Sequence, residues 1–131
     1  MLPVVLAAAA VTAVLGPLPD PRPPYGGHPR PAPQEQLKLS HVAEAGSTVT
    51  VTLTCDPPGG GHPEPGGACA TLAEVDADPD RIKPANRACI LLYRPVTAEL
   101  TGTWQGREVN WKHRYGNTCE MRRATGVLFR F

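Results

Sequence analysis

The sequence predicts an α+β domain: an antiparallel β-sheet with one or two short helices, stapled by two disulfides. Three observations predict it. Several stretches alternate apolar and polar residues with period two, one short stretch is rich in helix formers, and the four cysteines form an even set in a chain that reads as exported. With 131 residues there is room for one domain plus some non-globular length.

Residues 2–15 are apolar and uncharged. A run of about fourteen is too short to span a bilayer, for which about twenty are needed, but it suits the apolar region of a secretory signal. Val11-Thr12-Ala13 offers a small-residue cleavage pattern, although no basic residue precedes the run. Residues 1–16 therefore read as a signal peptide and the protein as secreted and extracellular, with a buried N-terminal helix as the competing reading. Eight of the twenty residues at 17–36 are proline. Such a segment buries too little to offset its ordering entropy, so a flexible or polyproline-type spacer is expected.

The folded domain is expected at 37–131. Gln36-Leu37-Lys38-Leu39-Ser40 alternates as a first strand would. Residues 48–54 form the clearest strand, with Val49, Val51 and Leu53 expected inward and threonines outward. A Gly/Pro-rich turn lies between Cys55 and Cys69, and residues 68–75 favour two helical turns with Leu72 and Val75 facing the core. Residues 98–104 and 107–115 read as a hairpin about Gln105-Gly106. Val109, Trp111, His113 and Tyr115 share one face of the returning strand, and His113 is expected to be partly buried there. Val127, Phe129 and Phe131 alternate as a closing strand would, and Leu128 is expected to be exposed.

Several function classes are disfavoured. A net charge of +1 argues against a nucleic-acid or anionic-membrane partner, and no membrane association is expected once the signal is removed. The cysteine spacings of 14, 20 and 30 lack the close pairs of a zinc site, and His28, His41, His62 and His113 are scattered, so neither metal nor cofactor is expected. Only Ser40 and Ser47 offer a serine nucleophile, and neither sits in a Gly-x-Ser-x-Gly elbow. No enzyme is expected.

What remains is Cys89-Ile90-Leu91-Leu92-Tyr93-Arg94-Pro95, four bulky side chains framed by a cysteine and a proline after a polar, proline-broken stretch. Apolar runs are commonly buried, so by itself the run reads as a core strand. A half-extended apolar segment beside a disulfide is also the form a protease-binding loop takes. Two disulfides are expected, and the spacing alone allows three pairings.

Thr50-Val51-Thr52-Leu53-Thr54-Cys55, His62-Pro63, Gly67-Ala68-Cys69-Ala70, Cys89 with Tyr93 and Pro95-Val96, Trp104-Gln105-Gly106, Asn117 and Cys119-Glu120-Met121 follow one another in an order and spacing that resemble the Streptomyces subtilisin inhibitor family. The resemblance covers roughly residues 37–131. It implies a secreted serine protease inhibitor whose partners are subtilisin-like proteases, whose sheet domain forms a homodimer, and whose disulfides are Cys55 with Cys69 and Cys89 with Cys119. Loops of those lengths would each remove about 3–4 kcal/mol of denatured-state entropy. By position, the resemblance makes Leu91 and Leu92 the reactive bond, Ala88, Cys89, Ile90 and Tyr93 the protease-contacting loop, and Asn117 its support. Leucine before the bond suits an apolar pocket of subtilisin or chymotrypsin type and gains nothing from the carboxylate of a trypsin pocket. Arg94, Arg122 and Arg123 give the surroundings a positive cast. The competing reading is a secreted, non-inhibitory binding module that uses the same loop for another protein.

Overall fold

The computed structural model describes residues 3–4, 8–18 and 35–131. The parts of the apolar leader at 1–2 and 5–7, and the proline-rich stretch at 19–34, lie outside the described residues. The chain divides into two units, Met1–Arg30 and Pro31–Phe131. In the first, residues 8–18 form neither helix nor strand and are exposed, in contrast to the buried-helix alternative.

The second unit runs β1 (Glu35–Ala43), β2 (Thr48–Cys55), α1 (Pro65–Val75), a 3-10 turn (Pro79–Arg81), β3 (Val96–Trp104), β4 (Arg107–Tyr115) and α2 (Thr118–Thr125). The four strands make one antiparallel sheet in the order β2-β1-β3-β4. Its register aligns the inward side chains in rows: Leu37 lies between Leu53 and Gly102, and Leu39 between Val51 and Leu100. The β3–β4 connection is the two-residue turn expected, with positive φ at Gln105 (47°) and Gly106 (76°), which matches the twist of the flanking strands.

Leu37, Leu39, Leu53, Val96, Ala98 and Leu100 pack from the sheet against Ala68 and Leu72 of α1, Met121 of α2, and Leu128 and Phe129 beyond it. Full burial of each such large side chain contributes about 1.5–3 kcal/mol. Pro65 starts α1, where its missing N–H leaves no gap, and Ala68, Cys69, Leu72 and Val75 form its buried stripe. On the opposite face of the sheet Lys38, Thr50, Thr52 and Lys112 are exposed.

Four local expectations are corrected. Val49 is exposed, because β2 is an edge strand and only Leu53 among its alternating apolar residues is wholly inside. His113 stands exposed on β4, its ring 4.4 Å from that of Tyr115 and its Nδ1 4.0 Å from Asp80 Oδ1. Residues 127–131 form no strand, and Leu128 is buried rather than exposed. Gly126 (φ 61°) ends α2, and the chain turns so that Leu128 and Phe129, adjacent in sequence, both enter the core. A strand could not place both on one face. The buried ring of His62 holds this tail. Its Nε2 bonds the Leu128 carbonyl at 2.9 Å, and its Nδ1 accepts the Glu64 N–H at 2.9 Å. His41 Nε2 contacts the Phe131 carbonyl at 3.0 Å.

Gly102 (φ 132°) is where β3 comes closest to β1: a Cβ there would collide with the Gln36 carbonyl oxygen and stand 2.9 Å from Leu37 Cα. Both neighbours are backbone, so neither can swing aside. Gly102→Ala should therefore cost about 3 kcal/mol, read as a lower urea midpoint at unchanged slope. A loss below about 1 kcal/mol would show that the strands can separate to admit the methyl group.

Candidate functional site

The apolar run lies on the surface. Between the 3-10 turn and β3, residues 82–95 contain no regular element, and Ile90 (84% exposed), Leu91 (98%), Leu92 (53%) and Tyr93 (73%) project into solvent. Four large apolar side chains left in water by a domain with a full core are the mark of a surface built to be covered. Pro84 and Pro95 bracket the segment, and Pro95, which lacks an N–H and restricts Arg94 before it, separates the run from β3.

An exposed loop without sheet partners must be held from behind, and residues 116–123 do this along its length. The Ala85 N–H donates to the Arg123 carbonyl at 2.9 Å, and the Arg94 N–H to the Gly116 carbonyl at 2.8 Å, fixing the two ends. Between them Cys89 is bonded to Cys119, with Cα atoms 5.8 Å apart. The second disulfide, Cys55–Cys69, ties the end of β2 to α1, so both pairings are those the resemblance implied. At the centre, Asn117 Nδ2 donates to the Ile90 carbonyl at 3.2 Å and the Leu92 carbonyl at 2.8 Å. One amide thus bridges the carbonyls on either side of Leu91. The Leu92 N–H closes a tight three-residue turn onto the Ile90 carbonyl at 2.8 Å, which leaves the Leu91 side chain outermost.

Asn117 is placed because it is also the N-cap of α2. Its extended backbone precedes the helix, and its Oδ1 accepts the Glu120 N–H at 2.8 Å. The acceptor end of one side chain starts the helix, and the donor end holds the loop. Sequence analysis placed Asn117 but not α2, although Asn117-Thr118-Cys119-Glu120 has the spacing of a helix start. The carbonyls of Gly116 and Arg123 carry no sequence signal at all.

The flank beyond Leu92 is fixed by side chains. Tyr93 Oη accepts from Arg114 Nη2 at 3.4 Å, and the same nitrogen pairs with Glu44 at 2.9 Å. An open groove of about 780 Å³ lies here, lined by Leu92, Tyr93, Pro95, Val96 and the β1–β2 turn. Tyr115, which leads into Gly116, has its phenol pushed up to about 12 by burial foremost and by the Asp80 carboxylate second, so it stays an uncharged hydroxyl at neutral pH. Among the described residues, no cluster of His, Cys, Asp and Glu could hold a metal ion, and no helix is long and apolar enough to cross a membrane.

With this geometry established, three kinds of comparison agree. A family model described as subtilisin inhibitor-like matches residues 32–117. A subtilase-type protease inhibitor of Streptomyces fradiae is 39% identical over 129 residues, covering 93% of this chain and 90% of that protein. A Streptomyces avermitilis protein named as a serine protease inhibitor is 43% identical over 83 residues, and there the chain spans 56% of the relative's length. Among solved structures, Streptomyces caespitosus sermetstatin in complex with Bacillus licheniformis subtilisin matches with a TM-score of 0.64 and 27% identity, over 73% of this chain and 97% of that one.

The double role of Asn117 can be taken apart. Asn117→Asp keeps the capping oxygen and loses the donors to the loop, so thermal stability should change little while the Leu92 and Arg94 amides exchange faster with deuterium. Asn117→Ala loses both and should cost about 1 kcal/mol as well. Equal exchange in Asn117→Asp and the wild type would show that the disulfide and the backbone bonds at Ala85 and Arg94 hold the loop without Asn117.

Proposed function

The chain belongs to the subtilisin inhibitor-like family, and we propose that it inhibits subtilisin-like serine proteases by offering the Leu91–Leu92 bond as a substrate that is held and not released. The family is one of inhibitors, not enzymes. The observation that carries the proposal is the bridge from Asn117 to the Ile90 and Leu92 carbonyls beneath an almost wholly exposed Leu91.

The loop docks as a substrate would, its backbone pairing with the edge of the protease cleft and Leu91 filling the primary pocket. Ala88, Cys89, Ile90 and Tyr93 line the rest of the contact. Because the backing residues already fix the loop, little conformational entropy is lost on binding. The protease serine attacks the Leu91 carbonyl, the Leu91–Leu92 bond breaks, and the Leu92 amine takes up a proton. Both new ends remain attached to the same support. The acyl side is held by the Cys89–Cys119 bond and Ile90, and the amine side by the contacts of Leu92 and Arg94. The amine therefore stays at high effective concentration beside the acyl-enzyme, and religation competes with water. Leucine at the primary position directs the inhibitor to apolar pockets, those of subtilisins first and of chymotrypsin-like enzymes second.

Export forms part of the proposal, since the apolar leader and two disulfides suit an oxidising extracellular setting. So does a homodimer, which follows from the family resemblance and is tested by solution mass.

Stepwise addition of the protein to subtilisin should lower peptide hydrolysis linearly, to zero at one protomer per enzyme. Leu91→Lys should then improve trypsin inhibition by roughly 100-fold or more, as the ammonium meets the trypsin carboxylate. No inhibition at micromolar excess, or steady cleavage of the Leu91–Leu92 bond without a stall, would favour a binding module over an inhibitor.

A further inference from the structure

The loop is charged as well as apolar, and the charge has one sign. Residues 81–94 contain Arg81, Lys83, Arg87 and Arg94 and no Asp or Glu, a local charge of +4. The whole chain carries 13 Lys and Arg against 12 Asp and Glu, so the remainder has 9 against 12, a charge of −3. Two of the cations behind the loop are neutralised, Arg114 by Glu44 and Arg123 by Glu120, each at 2.9 Å, while Arg122 beside them is in no salt bridge among the described residues. Lys83, Arg87 and Arg94 within it, and Arg81 at the end of the 3-10 turn before it, are exposed and, among the described residues, take part in no salt bridge.

Two of the four stand at the margin of the proposed contact. Arg87 precedes Leu91 by four residues and Arg94 follows it by three. At 3.3–3.6 Å per residue their Cα atoms lie within about 14 Å and 11 Å of Leu91. Both have a bonded backbone: the Arg87 N–H bonds the Ala85 carbonyl at 3.0 Å, with its Nη2 3.8 Å from Cys119 Sγ, and the Arg94 N–H bonds the Gly116 carbonyl at 2.8 Å. When Leu91 is in a protease pocket, Arg87 and Arg94 flank it on opposite sides along the chain, within reach of the cleft rim. Charges in such a position act mainly on encounter rate and on its dependence on salt.

Resting on the inhibitor reading above, we propose that Arg87 and Arg94 select the partner by charge, and that the partner is a subtilisin-type protease whose cleft rim carries carboxylates at both ends. The apolar Leu91 makes the protein acceptable to many subtilisin-type pockets; the paired arginines discriminate among their owners.

The test measures association rate constants for a panel of subtilisin-type proteases ordered by the charge of the cleft rim, at low and high ionic strength. For the wild type, rates at low salt should rise about 10-fold or more from the least to the most acidic rim, and the spread should collapse in high salt. R87E/R94E should reverse the order, and Arg87→Lys with Arg94→Lys should restore it. The same order for R87E/R94E as for the wild type, or no order in either while wild-type titration still ends at one protomer per enzyme, would overturn charge selection alone. Absence of wild-type inhibition across the panel would overturn the inhibitor reading, and charge selection with it.

Discussion

Asn117 donates from one amide nitrogen to the carbonyls on both sides of Leu91, and much of the domain serves to keep that amide where it is. The difficulty is physical. A segment proposed to enter another protein's cleft cannot be buried in its own, yet an unburied segment has no packing to fix its shape. Hydrogen bonds and one covalent bond from behind resolve this, because they use backbone carbonyls and the Cys89 side chain while leaving Ile90, Leu91 and Tyr93 outward. The arrangement spends the donor capacity of Asn117 on the loop and its acceptor on the Glu120 amide, so one side chain ties the loop to the start of α2.

The support is rigid only because its base is. α2 is one short helix, too short to be stable alone, and it is anchored by Met121 and Thr125 in the core and by the tail that follows Gly126. His62 clamps that tail through Leu128, linking it to the Cys55–Cys69 region in the middle of the chain. The β3–β4 hairpin delivers Gly116 to one side of the loop, and Gly102 lets β3 lie close enough to β1 for the sheet to hold its register.

The hairpin at Gln105-Gly106, the β2 strand and the helix around Cys69 were legible in the sequence because each depends on local chemistry: positive φ in a tight turn, alternation along a strand, and a buried stripe on a helix. Periodicity failed at 127–131, where the alternation of Val127, Phe129 and Phe131 mimics a strand. The backbone there turns after Gly126, a decision made by distant partners, His62 and the core, which no local pattern encodes. The apolar run at 90–93 misled in the opposite sense. Read alone it favoured core, its place beside a cysteine allowed a loop, and the family resemblance decided for the loop, since exposure is a property of what the rest of the chain leaves uncovered. Leu91 and Asn117 were named from the sequence as positions only. That Asn117 spans both carbonyls, and that Gly116 and Arg123 secure the loop's ends through backbone atoms, required the three-dimensional arrangement.

The central claim is that the two ends of the Leu91–Leu92 bond stay held after cleavage. It is tested most directly by isolating protein cut at that bond and incubating it with a catalytic amount of subtilisin. If the support works as described, intact chain should reappear and the mixture should settle at comparable amounts of cut and intact protein, reached from either direction. Cleavage that runs to completion, with no intact chain recovered from the cut form, would contradict the account.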